Sequence, residues 1–164
     1  MSLESPLKGK SILVVDDEPD VLETVAEELD MCLVDKAPDY NTAMQYLASY
    51  TYDIVILDIM GVNGFDLLQN AVDRGFPAVM LTAHALTPDA LKKSIKLGAV
   101  SFLPKDKMSE LRPFLEDVVL GGGKPVWKRF FENLGSYFNK RFGPDWVEKD
   151  KFLKEFKEEV LKQP

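Results

Sequence analysis

Residues 11–20, SILVVDDEPD, pass from an apolar run through three acidic residues to a proline. The run ILVV is typical of a strand buried on both faces of a parallel sheet. Pro19 suits the first turn of a helix, and Leu22, Val25 and Leu29 continue with helical spacing. The stretch therefore predicts a strand, an acidic turn and an amphipathic helix.

The same strand-then-helix pattern occurs five times in the first 120 residues. The four later strands are predicted at Met31–Lys36, Tyr52–Leu57, Pro77–Thr82 and Val100–Leu103. Asp39 and Thr87 are predicted helix caps, Gly64 opens a helix, Gly98 ends one, and the last helix of the repeat is predicted from Lys107 to Leu120. Such alternation predicts an α/β fold, a doubly wound parallel sheet with helices on both faces.

A helical extension is predicted after the fifth repeat. The segment 121–125, GGGKP, reads as a Gly/Pro linker between a domain at 1–120 and a helical hairpin at 126–164. The hairpin begins with aromatic residues at three- and four-residue spacing, and a second helix is predicted after Gly143-Pro144. A hairpin this short is not a full DNA-binding domain.

Charge divides the chain in the same place. Residues 124–164 hold 10 basic and 7 acidic residues, whereas the remaining 123 residues hold 10 basic and 20 acidic ones. The acidic first part argues against direct nucleic-acid binding, because phosphate contacts need cations. The aromatic face of the hairpin either packs back on the first domain or pairs with a second copy. The competing interpretation is a docking helix for a partner or a membrane surface.

Localisation in a reducing cytoplasm is expected. No apolar run approaches the roughly 20 residues that span a membrane, the N-terminus lacks an apolar signal core, and Cys32 is the single cysteine.

Five polar side chains follow the predicted strands. Asp16 and Asp17 follow the first, Asp58 the third, Thr82 ends the fourth and Lys105 follows the fifth. Ligands of parallel α/β sheets bind at the carboxyl ends of the strands, so these groups are expected to converge. Clustered carboxylates suit Mg²⁺ (or Mn²⁺), an aspartate can form an acyl phosphate, and a hydroxyl and an ammonium can hold phosphoryl oxygens.

The stretches ILVVDDEP, DIVILDIM, NGFDLL, VMLTAHA and LGAVSFLPK resemble the receiver domain of two-component response regulators, of the chemotaxis-regulator kind. The resemblance covers residues 11–120 and implies a three-layer, flavodoxin-like (βα)₅ fold. It implies that Asp58 accepts a phosphoryl group from a sensor histidine kinase or phosphotransfer protein, and that a downstream protein reads the result. A homodimer is compatible with it.

The resemblance also implies residue roles. The metal would be held by Asp16, Asp17, Asp58 and the backbone carbonyl of Met60. The phosphoryl group would be bound by Thr82 and Lys105, with Phe102 as the switch aromatic. His84 would lie at the rim of the site.

Two departures from the family pattern bear on the site. The loop from Asp58 to Gly64 is about two residues shorter than usual and lacks the Met-Pro pair, which affects Met60. Pro104 precedes Lys105 instead of following it, so a cis bond would have to join Leu103 and Pro104.

Two other functions remain open on the sequence alone. The first is an interaction module that is never phosphorylated. The second is a phosphohydrolase with an aspartyl-phosphate intermediate. The second is disfavoured because Met60 occupies the position where such an enzyme places its second acid.

Overall fold

The computed structural model describes residues 4–83 and 87–163, and the elements below are those of these ranges. The strands are β1 (Ser11–Val15), β2 (Leu33–Ala37), β3 (Ile54–Leu57), β4 (Ala78–Thr82) and β5 (Ser101–Pro104). The helices are α1 (Pro19–Glu28), α2 (Tyr40–Ser49), α3 (Gly64–Asp73), α4 (Pro88–Leu97), α5 (Leu111–Leu120), α6 (Trp127–Phe142) and α7 (Lys151–Leu161). A 3₁₀ segment, Lys105–Glu110, precedes α5.

All five strands form one parallel sheet in the order β2-β1-β3-β4-β5. Helices α1 and α5 contact each other, as do the successive neighbours α2, α3 and α4. The two groups cover opposite faces, as right-handed crossovers require. The predicted three-layer, flavodoxin-like fold with a C-terminal helical extension is confirmed.

Local signals set the helix ends. The Asp39 carboxylate accepts a hydrogen bond from the Thr42 backbone amide, and the Thr87 hydroxyl accepts one from that of Ala90. Both are caps that satisfy an otherwise unpaired amide of the first turn. Gly98 ends α4 at φ +99°, where a side chain would be strained.

Several boundaries differ from the predictions. Strand β2 begins two residues late, because the Cys32 amide turns back to the Leu29 carbonyl. The helix predicted from residue 107 begins at Leu111, since Lys107 has φ −109° and ψ 26° and interrupts the helix. The peptide bonds of the described residues are all trans, including Leu103–Pro104.

The extension packs on the edge of the sheet. Helix α6 contacts β5 and α7. Its aromatic residues Phe130 and Phe138 are fully buried, with ring centroids 6.5 and 6.3 Å from that of Phe102 in β5. The aromatic face of the hairpin therefore belongs to the same hydrophobic core as the sheet.

Helix α7 is held against α4 by polar contacts. The Lys92 ammonium lies 3.0 Å from Asp150, and the Lys96 ammonium lies 4.7 Å from the Phe152 ring centroid. Asp150 also caps α7, since its carboxylate accepts a hydrogen bond from the Leu153 amide.

The predicted Gly/Pro linker makes specific backbone contacts. Gly123 donates its amide to the Val118 carbonyl over 3.0 Å, closing the end of α5, and Val126 donates to Val100 over 2.9 Å. The boundaries predicted at residues 120 and 126 stay a prediction. In the ranges 4–83 and 87–163, no helix has the length and apolarity to cross a membrane.

Candidate functional site

The carboxyl ends of β1, β3 and β5 bring three charged side chains together. Asp16 is fully buried after β1, and Asp58 is 5% exposed after β3. The Lys105 ammonium lies 2.8 Å from the Asp16 carboxylate and 3.4 Å from that of Asp58. The expected convergence at one edge of the sheet is therefore present in these three groups.

Burial controls the ionisation of the two aspartates. Loss of solvent raises the pKa of Asp58 to about 6, and the negative charge of Asp16 adds to the rise, although Lys105 opposes it. Burial likewise raises the pKa of Asp16, and the contact with Lys105 offsets part of that rise. One lysine does not fully compensate two buried carboxylates, so the site favours a further cation.

Lys105 is held in its charged form. Burial by itself lowers the pKa of Lys105, but contacts with Asp16 and the charges of Asp58 and Glu18 raise it overall. The Glu18 carboxylate lies 3.5 Å from the ammonium. Glu18 was not among the predicted site residues, although it directly follows the Asp16-Asp17 pair that drew attention to this turn.

The acidic turn has the chemistry of a hard-cation site. Carboxylate oxygens of Asp16, Asp17 and Glu18 lie within 4.8 Å of one another. Such oxygens are the ligands that Mg²⁺ prefers. Because excess buried negative charge stands beside them, these residues fit a divalent cation.

The short loop after Asp58 lies directly against this turn. Gly61 has φ +83°, and a Cβ atom built on it would lie 2.4 Å from an oxygen of Asp17. Gly64, which begins α3, donates its amide to the Ile59 carbonyl over 3.0 Å. The Met60 side chain is 55% exposed, and the metal role of its backbone carbonyl stays a prediction.

Thr82 and Phe102 occupy neighbouring strands at the side of the site. Thr82 ends β4, is fully buried, and pairs in register with Pro104, the residue before Lys105. Phe102 is fully buried in β5, where α6 covers it. Their roles as a switch pair stay predictions. His84 lies outside the described residues.

Two residues of the extension also reach this neighbourhood. Tyr137 and Arg141 of α6 line a cavity of about 210 Å³ together with Thr82 and Lys105. The periodicity of α6 predicted only an aromatic face, and nothing in the sequence indicated which part of the sheet that face would meet.

The similarity to known proteins is found in the part of the chain that forms the sheet and the candidate site. A family model described as the response regulator receiver domain matches residues 12–116. That match covers the candidate site and the sheet with its helices from residue 12 of β1 to residue 116 of α5, and it stops before the extension.

Curated relatives share this part of the sequence. Response regulator Rre1 of a Synechocystis strain is 36% identical over 104 residues, covering 58% of this chain and 45% of its own length. Two-component response regulator ARR18 of Arabidopsis thaliana is 34% identical over 103 residues, covering 59% of this chain and 16% of its own length. The chain thus spans less than half the length of these relatives.

Solved structures share the fold. A response regulator from Thermotoga maritima aligns with a TM-score of 0.62 at 21% identity, covering 68% of this chain and 98% of that one. The chemotaxis protein CheY4 of Vibrio cholerae aligns with a TM-score of 0.61 at 24% identity, covering 67% of this chain and 98% of that one.

Proposed function

Because the chain belongs to the response regulator receiver domain family, we propose that it is a phosphorylation-controlled switch of a two-component system, with Asp58 as the phosphoryl acceptor. The phosphoryl donor is a sensor histidine kinase or a phosphotransfer protein. The chain acts as a phosphoacceptor in the cytoplasm and not as a turnover enzyme.

The observation that carries this proposal is the pairing of Asp58 with Lys105. Asp58 is nearly buried at the end of β3, with its carboxylate 3.4 Å from an ammonium that is itself almost enclosed. A carboxylate held beside a fixed cation is suited to attack phosphorus, because the cation also lies where charge develops on the phosphoryl oxygens.

Phosphoryl transfer to Asp58 exchanges one bond to phosphorus for another. An oxygen of the Asp58 carboxylate forms a bond to phosphorus while the bond from phosphorus to the donor histidine nitrogen breaks. The electron pair of the broken bond stays on the imidazole. Lys105 and the hydroxyl of Thr82 bind the phosphoryl oxygens, and later attack by water returns the carboxylate and releases inorganic phosphate.

A divalent cation completes the site in this proposal. Asp16, Asp17 and Asp58 would hold Mg²⁺ or Mn²⁺ with the Met60 carbonyl, and Glu18 adds charge at the same turn. When bound, the ion offsets the negative charge of the carboxylates and of the phosphoryl oxygens.

Output is proposed to pass through protein contacts. The acidic first part of the chain disfavours direct nucleic-acid binding. A downstream protein or a second copy of the chain would read the phosphorylated form. A membrane contact through the aromatic face of α6 is disfavoured, because Phe130, Phe131 and Phe138 are buried.

Phosphorylation by acetyl phosphate with Mg²⁺ tests the proposal. Intact mass should show one phosphoryl adduct on the wild type and none on Asp58→Asn, whose amide cannot act as the nucleophile. A matched control is Asp53→Asn, which changes an exposed aspartate just before β3 and should leave the adduct in place.

An adduct on both Asp58→Asn and the wild type would place the acceptor elsewhere. The absence of an adduct on the wild type, together with the absence of Mg²⁺ binding, would favour a constitutive interaction module. One specific feature favours that alternative: the short loop after Asp58 places Gly61 close to the Asp17 carboxylate.

A further inference from the structure

Helix α6 presents two polar side chains to the candidate site. Tyr137 and Arg141 lie four residues apart, one turn of the helix, and so share a face. The Tyr137 hydroxyl donates a hydrogen bond to the Asp106 carboxylate over 3.0 Å, and the Lys107 ammonium lies 5.5 Å from the centroid of the tyrosine ring. Helix α6 is thus fastened to the residue that directly follows Lys105.

A cavity joins this face of α6 to the site. Its volume is about 210 Å³, and Thr82, Lys105, Asp106, Tyr137 and Arg141 are among the residues that line it. This space is large enough to hold several water molecules. The Lys105 side chain links the cavity to Asp58, since its ammonium contacts that carboxylate.

The charge balance of the site leaves room for another cation. Lys105 is shared among Asp16, Asp58 and Glu18 before any phosphoryl group arrives. Phosphorylation replaces the single negative charge of the Asp58 carboxylate with a phosphoryl group that carries about −1.5 to −2 charges and three acceptor oxygens, so the site gains up to about one negative charge. Arg141 lies on the same cavity, and its planar guanidinium can bind two phosphoryl oxygens at once.

The charge of Arg141 acts on Tyr137, which lies one helical turn away on α6. Burial and the hydrogen bond with Asp106 raise the pKa of Tyr137, and the charge of Arg141 opposes part of that rise. The Arg141 side chain is exposed, so it can change rotamer without disturbing the buried face of α6.

We propose that Arg141 of α6 is an additional phosphoryl-binding residue, and that the hydrogen bond from Tyr137 to Asp106 positions α6, and with it Arg141, beside the site. This inference rests on the proposed function of Asp58. It makes the C-terminal extension a part of the phosphorylated site, because one of the cations that bind the phosphoryl group comes from outside the sheet.

The test uses trifluoroberyllate, which mimics a phosphoryl group on an aspartate, with the full chain and saturating Mg²⁺. Its affinity is measured by calorimetry for the wild type, Arg141→Gln and Arg141→Lys. Lys140→Gln is the matched control, because Lys140 is the exposed neighbour on α6 and the change removes the same charge.

Arg141→Gln should bind the mimic about tenfold more weakly, the loss expected for a charge-assisted hydrogen bond. Arg141→Lys should recover part of the affinity, because it keeps the charge without the planar fork. Lys140→Gln should stay within about twofold of the wild type, because its charge lies outside the cavity and exposed charges are well screened. Tyr137→Phe should weaken binding of the mimic while leaving Mg²⁺ affinity and thermal stability near the wild-type values.

Two results would overturn the inference in distinguishable ways. Equal affinities for Arg141→Gln and Lys140→Gln would remove Arg141 from the phosphoryl site and leave the function of Asp58 intact. No binding of the mimic by the wild type, with Mg²⁺ present, would remove the proposed function and this inference together.

Discussion

At the scale of single residues, the site depends on a balance between burial and charge. Asp16 and Asp58 are almost completely enclosed, and Lys105 stands between them. The positions of these residues at strand ends were predictable, because chain order and sheet topology place them there. The raised pKa of Asp58 was not, because it depends on how much solvent the neighbouring elements remove.

Gly61 provides a test at this scale. Gly61→Ala should lower the affinity for Mg²⁺ at least about tenfold, since a Cβ atom would lie 2.4 Å from an Asp17 oxygen and displace either the carboxylate or the loop. Calorimetric titration with Mg²⁺ measures this. Gly75→Ala is a matched control, because Gly75 has φ +80° and nothing within 4 Å of its added Cβ.

Both variants should share the cost of placing alanine at positive φ, which is about 1 kcal/mol of unfolding free energy. Only Gly61→Ala should lower the affinity for Mg²⁺. Equal Mg²⁺ affinities for the two variants would show that Asp17 does not need its present position to bind the ion.

At the scale of elements, the strands and most helices followed from sequence periodicity, whereas their ends depended on single hydrogen bonds. Asp39 and Thr87 cap helices as predicted, because an N-cap needs only a local side chain. The late start of α5 was missed, since the apolar spacing continues through a segment whose backbone is 3₁₀. Periodicity reports which face is apolar and not which helical hydrogen bonds form.

The packing of helix α6 on strand β5 can be tested with a single substitution. Phe138→Ala should lower the free energy of unfolding by about 3–5 kcal/mol, because the ring is fully buried against Phe102, Phe130 and Trp146. Urea unfolding measures the change. Tyr50→Ala, which removes an aromatic side chain that is 58% exposed, is the control and should cost much less.

A cost for Phe138→Ala no larger than that of Tyr50→Ala would show that α6 is not docked on the sheet in solution. The aromatic face would then be free for another copy or for a partner.

At the scale of the whole molecule, the chain has one continuous core. Buried residues of the sheet, of α6 and of α7 belong to the same cluster, although the composition changes sharply near residue 123. The glycine-rich segment between them is fastened by backbone hydrogen bonds, including that from Val126 to Val100. These contacts favour cooperative behaviour over an independently moving tail.

The two tryptophans make this cooperativity measurable. Trp127 begins α6 and Trp146 precedes α7, and both are buried, so tryptophan fluorescence reports on the extension alone. Far-UV circular dichroism reports on every helix and strand. We expect the two thermal unfolding curves to coincide, as a two-state transition requires. A fluorescence transition well below the dichroism transition would instead identify the extension as a separate unit.

The sequence alone determined the order of strands and helices, the parallel sheet and the edge at which the charged residues gather. These features follow from local periodicity and from the handedness of β-α crossovers, which act over short stretches of chain. It also determined the chemistry of the acidic turn, since carboxylates at a strand end suit few other ligands than hard cations.

Only the tertiary structure decided which surface the extension covers. The hydrophobic effect drives aromatic residues out of water without specifying what they contact, so the amphipathic pattern of α6 was compatible with several partners. Shape complementarity with the edge of the sheet selects Phe102 and β5 as that surface. The same docking places Tyr137 and Arg141 on one cavity with Lys105. These residues are more than 30 positions from Lys105 in the sequence, so no local sequence pattern could predict that they share a cavity.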